Sequence, residues 1–297
     1  LKIKVFGAGQ MVPGFEVFDT VSSGAAEMGH AGSYYWKGKA PAAQIFTAIP
    51  FGMNATEMNA WLHYGGGLAL WREVYEPFNL IPFAGDNTGV QMAGWFKNEI
   101  NSVEDLKGLK MRIPGLGGEV LKKLGGIPVA LTGGELFTSL QSGAIDATEW
   151  VGPYNDLAFG LYKAAKYYYH SGWHEPSANL EFIVNKQAFE ALPDDLQAII
   201  EVATRAVNQD MWDEYTAANN AAMQALVETH KVDMRPLPAD VMLALKNTSA
   251  EVIQEQTDAD PMFKKVYDSY SDFQIKVMKY HQISEFEYYK NREGNNK

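Results

Sequence analysis

From residue 110 onward, short runs with apolar side chains at alternate positions trade places with longer runs in which they recur every three or four. Residues 110–113, KMRI, read as a strand, 117–124 as a helix closed by Gly125 and Gly126, and 128–131 as a second strand. Thr132 and Glu135 form the T-x-x-E pattern of a capping box, which opens a helix ending before Gly143, and 144–151 returns as a strand. This β-α-β-α-β order predicts a parallel sheet with helices against it. Residues 183–185 followed by KQAFEALP repeat the grammar.

Residues 194–231 contain neither glycine nor proline and are rich in Ala, Glu, Gln and Met. At 1.5 Å per residue a continuous helix there would be about 57 Å long, more than one small lobe spans, so it bridges two lobes or kinks between them. Pro236 and Pro238 interrupt, and a last helical region is expected from about residue 261 to the end. Within it Val266, Tyr270, Phe273, Val277 and Tyr280 are spaced 4, 3, 4 and 3, one apolar stripe that packs on its own chain or, as the alternative, on a second copy. LKIKVFGAG reads as a strand running into a turn, so the chain is expected to begin inside a fold. Gly65–Gly67 reads as a helix-breaking turn, and the tail REGNNK is polar.

Composition narrows the classes. A content of 46% hydrophobic and 12% aromatic residues supports packed cores. A formal charge of −11 argues against nucleic acid and against anionic lipid, both of which reward basic surfaces. With no cysteine, thiol catalysis, thiolate metal sites and disulfides are excluded. Apolar runs such as 67–71 fall far short of the roughly 20 residues a membrane-spanning helix needs.

The stretch GLKMRIPGLGGEVLKKLGG, 108–126, lacks the third glycine of a dinucleotide fingerprint and the Lys-Ser/Thr of a phosphate loop. Arg112 is more informative. Met111 and Ile113 flank it on a period-2 strand, so with those two facing the core the guanidinium projects the other way, at a strand end, where open α/β sheets bind ligands. An arginine there suits a bidentate grip on a carboxylate. IDATEW sets Glu149 and Trp150 at the end of a later strand, GWHEPS sets Trp173, His174 and Glu175 in a turn, and Gln91 alternates with Val90 and Met92 in a strand-like run. Carboxylate and amide oxygens are hard ligands suited to Na⁺ or Ca²⁺. Each glutamate read alone is more often a solvated loop residue, and spacing does not prove convergence. The histidines are scattered and form no H-E-x-x-H zinc site. Tyr34–Trp36 and Tyr167–Tyr169 either line a pocket or fill a core, and no nucleophile and base pair by spacing.

The segment MRIPGLGGEVLKKLGGIPVALTGGELFTSLQSGAIDATEWVGPYND resembles the substrate-binding proteins of tripartite ATP-independent periplasmic (TRAP) transporters. FTAIPFGMN, ATEWVGPYND, GWHEPSANLEFIVNK and YKAAKYYY resemble the branch that binds 2-oxo acids such as pyruvate. The likeness runs from about Val5 through the last helices. It implies a two-lobe α/β periplasmic-binding-protein fold with hinge strands and a lobe-spanning helix, the lobes being residues 1–90 with 179–215 and 91–178 with 216–297. Family members begin with a further strand and helix and a signal peptide, so an N-terminal strand and helix are expected to precede Leu1.

By resemblance, Arg112 holds the substrate carboxylate, and Gln91, Glu149, the backbone carbonyl of Trp150 and Glu175 coordinate Na⁺ or Ca²⁺, which bridges to the ligand's carboxylate and 2-oxo oxygens. Tyr34, Tyr35 and Trp173 shape the pocket. The implied function is periplasmic capture of a small 2-oxo or 2-hydroxy monocarboxylate for a two-part membrane permease driven by a sodium gradient, not catalysis. In this branch the last helix tends to mediate a homodimer. Two other readings stay open: a metal-dependent lyase or hydrolase on an oxo acid, with Glu175 or His174 as general base, and a binder of a neutral polyol or sugar that stacks on tryptophans.

Overall fold

The computed structural model describes residues 1–293, so the final residues of the polar tail, 294–297, lie outside the described residues. Among the described residues nine strands form two sheets. The first has β1 (Met28–Ala31), β8 (Asn179–Asn185) and β2 (Leu80–Asn87) in that order, every pair antiparallel. The second has six strands, ordered β5 (Ile127–Val129), β4 (Lys110–Arg112), β6 (Ala147–Thr148), β3 (Gly94–Phe96), β7 (Tyr167–His170) and β9 (Asp233–Pro236). Its parallel half, β5-β4-β6, is the β-α-β-α-β unit expected from the sequence.

The chain passes between the sheets after β2, after β7 and again between β8 and β9. The last of these crossings is the helix Asp194–Gln224, 31 residues long and therefore about 46 Å. It lies along β2 of the first sheet and against the helix Pro153–Ala158 beyond the second, where Asn219 Oδ1 accepts from the backbone of Tyr154 at 2.9 Å. It stops short of residue 231: Ala225–Thr229 widens into a π-helical turn and Lys231 takes a left-handed φ of 55°.

Several elements depart from the pattern reading. The first seven residues form no strand, since the structure gives them no partner strand to share backbone hydrogen bonds with. Tyr34 and Tyr35 lie on a 3₁₀ turn, Ser33–Trp36, and Gln91 in an irregular segment before β3. Only Ala147–Thr148 of the expected strand 144–151 pairs. A whole helix, Ala239–Ala259, occupies ground read as an interruption. It packs on the helix Gly115–Lys123, with Lys123 bridging to Glu251 and Glu255.

The helix Pro261–His281 was expected with the second lobe, yet it packs on the helices Ala55–Tyr64 and Gly67–Tyr75 of the first. Its stripe makes that side the natural one: Val266 and Tyr270 are buried, Phe273 and Val277 pack beside them, and the Tyr270 hydroxyl accepts from the backbone of Met53 at 2.6 Å. Tyr280, the last member of the stripe, is exposed. No helix among the described residues is long and apolar enough to cross a membrane.

Beneath the first sheet, Phe46 stacks on Trp61 and Trp71, and Glu181 of β8 is buried among aromatic residues. Trp36 Nε1 donates to Glu181 at 2.5 Å and the Tyr75 hydroxyl at 2.8 Å, yet burial outweighs both and pushes its carboxyl up to about 8. The folded state therefore binds more protons than the unfolded chain between about pH 4.5 and 8. Stability from this group is full below that window and is lost as pH rises through it. Glu181→Gln is expected to flatten the decline, and urea unfolding at pH 5, 6.5 and 8 checks it against the parent chain.

Candidate functional site

The carboxyl ends of β4 and β6 bring Arg112 and Glu149 side by side, because the two strands pair in parallel with Arg112 opposite Thr148. Arg112 is 2% exposed and forms an ion pair with Glu149, also fully buried. Its Nη2 donates to the Tyr35 hydroxyl at 3.0 Å and its Nε to the backbone carbonyl of Leu131 at 3.2 Å. Burial opposes its charge, but Glu149, with Tyr35 and Tyr34, more than offsets this and holds it firmly cationic. Three of its five N–H donors are thus engaged and two remain to be offered.

The turn after β7 supplies the facing wall. His174 and Glu175 are buried there, and one ligand atom from each lies within 4.8 Å of Glu149 and of the other. His174 Nε2 stands 3.6 Å from Glu149 Oε2, too far for a hydrogen bond. Gln91 reaches the same place because its backbone N–H donates to the carbonyl of Glu175 at 3.2 Å, and its Nε2 donates to Thr88 Oγ1 at 3.3 Å. Burial first, then the charge of Glu149, holds the Glu175 carboxyl well above its ordinary range.

Gln91 Oε1, Glu149 Oε2 and Glu175 Oε2 are all buried with no protein partner. An orphaned buried oxygen is costly, and three converging ones form a donor set. All are hard oxygens, which fits Na⁺ or Ca²⁺. His174 offers only nitrogen, a poorer match to such ions.

The remaining expected residues fall around this cluster. Trp150 lies with its ring centroid 5.2 Å from the Arg112 guanidinium carbon and its indole N–H buried without an acceptor. Trp173 is buried and its carbonyl accepts from the backbone of Phe51 at 2.8 Å. Tyr34 is buried edge-on against Tyr35, and burial followed by the charge of Glu175 raises its hydroxyl well above the ordinary range. His174 was not expected in the ligand cluster: the sequence rejects it as part of a zinc motif and otherwise offers it only as a general base, yet the fold brings it beside Glu149 and Glu175.

The glycines after Arg112 have another use than cradling phosphate. A Cβ on Gly118 would come 2.6 Å from the Ile113 carbonyl, and one on Gly117 would come 3.0 Å from the His174 Cβ. A bare helix face is what lets Gly115–Lys123 lie against both β4 and the His174 turn.

Two lobes with a buried, charged, oxygen-lined cluster between them define a solute-binding protein. Residues 1–260 match the DctP family, bacterial extracellular solute-binding protein family 7, and the chain belongs to it. It is therefore a binding protein rather than an enzyme. It is 45% identical over 287 residues, 97% of this chain and 79% of the other, to the monocarboxylate 2-oxoacid-binding periplasmic protein of Nostoc sp. strain PCC 7120. Among solved structures, a TRAP periplasmic solute-binding protein from Pseudoalteromonas atlantica with bound sodium and pyruvate is 45% identical, with TM-score 0.91 over 93% of this chain and 84% of that one. A TRAP solute-binding protein from Bordetella bronchiseptica is 39% identical, with TM-score 0.94 over 96% of this chain and 84% of that one. It is a mixed-occupancy dimer with copurified calcium and picolinate in one site and the other apo.

Tyr35 ties the 3₁₀ turn of the first lobe to Arg112 of the second through one hydroxyl. Tyr35→Phe is expected to lower unfolding stability by about 1.5 kcal/mol, the low end for a hydrogen bond to a charged group because Tyr35 is partly exposed. Urea titration measures it, and an unchanged midpoint would mean that this tie adds nothing to the fold.

Proposed function

We propose that the protein captures a small 2-oxo monocarboxylate, pyruvate or a close analogue, together with Na⁺ or Ca²⁺, in the periplasm. It then delivers the ligand to the two-part membrane permease of a TRAP transporter. The observation that carries this reading is the buried pairing of a cation with free N–H donors, Arg112, and three orphaned oxygens, on Gln91, Glu149 and Glu175. Arg112 offers its two remaining donors to the ligand carboxylate. Gln91, Glu149, Glu175 and the backbone carbonyl of Trp150 hold the metal, and Tyr34, Tyr35 and Trp173 close the pocket.

Charge counting supports a resident cation. Arg112 against Glu149, Glu175 and a substrate carboxylate sums to −2 with Glu175 ionised, which a divalent ion neutralises. With Glu175 protonated, the direction its burial favours, the sum is −1 and a monovalent ion suffices. The ligands in the related structures support the 2-oxo preference: pyruvate and picolinate each carry a carboxylate beside a second donor atom, the arrangement that chelates one cation. Ligand held between lobes favours the closed state, because only closure presents both walls to it, and the closed complex is what a permease distinguishes.

Calorimetric titration of ligand-stripped protein with pyruvate, longer 2-oxo acids, lactate and mannitol, with sodium, with calcium and after chelation, tests the reading. Cation-dependent binding of an oxo acid is expected; binding of mannitol alone would overturn it. Arg112→Ala should weaken pyruvate by ~2–5 kcal/mol, the usual cost of removing one member of a buried charge pair. Glu149→Gln should weaken metal and ligand together.

The same reading includes a homodimer through the last helix. Ile283 is 76%, Tyr280 63% and Phe286 60% exposed, and the Bordetella relative is a dimer. Ile283→Glu with Phe286→Glu is expected to turn a dimer into a monomer in sedimentation equilibrium, whereas a parent chain that is already monomeric rejects the assignment.

A further inference from the structure

An open depression of about 420 Å³, with Lys163, Lys166 and Lys231 exposed on its rim, lies at the other end of the six-stranded sheet from Arg112 and Glu149. β3 runs from Gly94, beside Glu149, down to Phe96 and Lys97, and β7 starts at Tyr167, next to Lys166, and runs up toward the His174 turn. The turn before β9 adds His230 and Lys231, and Lys163 with Tyr162 completes the wall. Four lysines therefore line one depression of a chain whose net charge is −11.

None of the four has a carboxylate within ion-pairing distance among the described residues. Nine other lysines do, 37, 39, 107, 123, 186, 264, 265, 276 and 290, whereas 2, 4, 110, 122, 246 and 279 share the lack but are not gathered on this depression. The nearby acids are engaged elsewhere: Arg235 holds Asp233 in a two-pronged pair and also binds Glu99. Lys97 donates to the Leu140 carbonyl at 2.9 Å, and Lys163 and Lys166 sit over the rings of Tyr162 and Tyr167. The Tyr162 and His230 rings pack at 4.0 Å, tilted by 34°, along one side. Lys231 occupies left-handed backbone, φ 55°, which a glycine would take at lower cost.

We propose that this depression binds a small, multiply charged, phosphate-bearing anion. Four lysines on one depression, none in an ion pair, favour an occupant with more than one negative charge. No arginine lines it, so the planar two-pronged recognition of carboxylates is missing, and lysine instead serves tetrahedral phosphate oxygens as a set of point charges. The volume matches a small molecule, at the lower end of ligand pockets. The site is separate in the fold from the Arg112 cluster and does not depend on what that cluster binds.

Inorganic pyrophosphate titrated calorimetrically into the whole chain at fixed ionic strength is the test. One saturable site with a dissociation constant below about 1 mM is expected. Lys163→Ala with Lys166→Ala and Lys231→Gly should weaken it at least tenfold while leaving pyruvate titration and thermal midpoint unchanged. Lys231→Gly alone, which relieves backbone strain, should weaken it about threefold and decides the question where the triple variant folds poorly. Absence of saturable heat in the parent chain, or affinity retained by the variants, overturns the proposal. Sedimentation with phosphatidic acid vesicles separates the sources: vesicle binding that pyrophosphate displaces identifies a lipid headgroup, and pyrophosphate binding without vesicle association identifies a soluble phosphate compound.

Discussion

The constraint on which the rest depends is the burial of the Arg112–Glu149 pair. Two unit charges removed from water lose several kcal/mol of hydration each, and their attraction repays this only when the remaining donors and acceptors are also satisfied. Arg112 meets that condition through Tyr35 and the Leu131 carbonyl. Glu149 meets it on one oxygen only. That half-satisfied carboxylate, next to a second buried glutamate whose own outer oxygen is orphaned, leaves polar atoms that folding alone does not satisfy.

The fold is arranged to deliver those charges and little else to this place. Parallel pairing of β4 and β6 fixes the register of Arg112 against Glu149, and the bare glycine face of Gly115–Lys123 lets the His174–Glu175 turn approach. The first lobe contributes aromatic surface and a hydroxyl. Its own buried carboxylate, Glu181, is different in kind: two donors from Trp36 and Tyr75 surround it, so it is a structural fixture with nothing left to offer a solute.

What can be read from the chain beforehand follows from where the determining physics is local. The capping box of Thr132 and Glu135 is formed as written, with both the backbone N–H and the hydroxyl of Thr132 donating to Glu135. The strand ends carrying Arg112 and Glu149 are legible because alternation and glycine punctuation are local signals. Ala239–Ala259 is hidden because Pro236 and Pro238 read as breakers, whereas a proline just ahead of a first turn is a usual way to start a helix. Its buried face also includes Thr248 and Ser249, which blur an apolar stripe. The side on which Pro261–His281 packs is not written locally at all: a stripe states that a partner exists, not which one. His174 escapes for a related reason, since convergence of side chains from β6, the turn after β7 and the segment before β3 is set by the whole sheet.

The junction between the last two long helices has mechanical meaning. Ala239–Ala259 is fastened to the second lobe and Pro261–His281 to the first, while Asp260 alone separates them, extended at φ −133° and ψ 115°. Its carboxylate accepts from the backbone of Phe263 at 2.7 Å, so it belongs to the start of one helix as well as the end of the other. The two helices also pack on each other and share one hydrophobic cluster, so the junction is a braced corner. The proline that follows keeps the two rods from fusing into one. Asp260 is therefore the single residue at which two helices, one fastened to each lobe, meet.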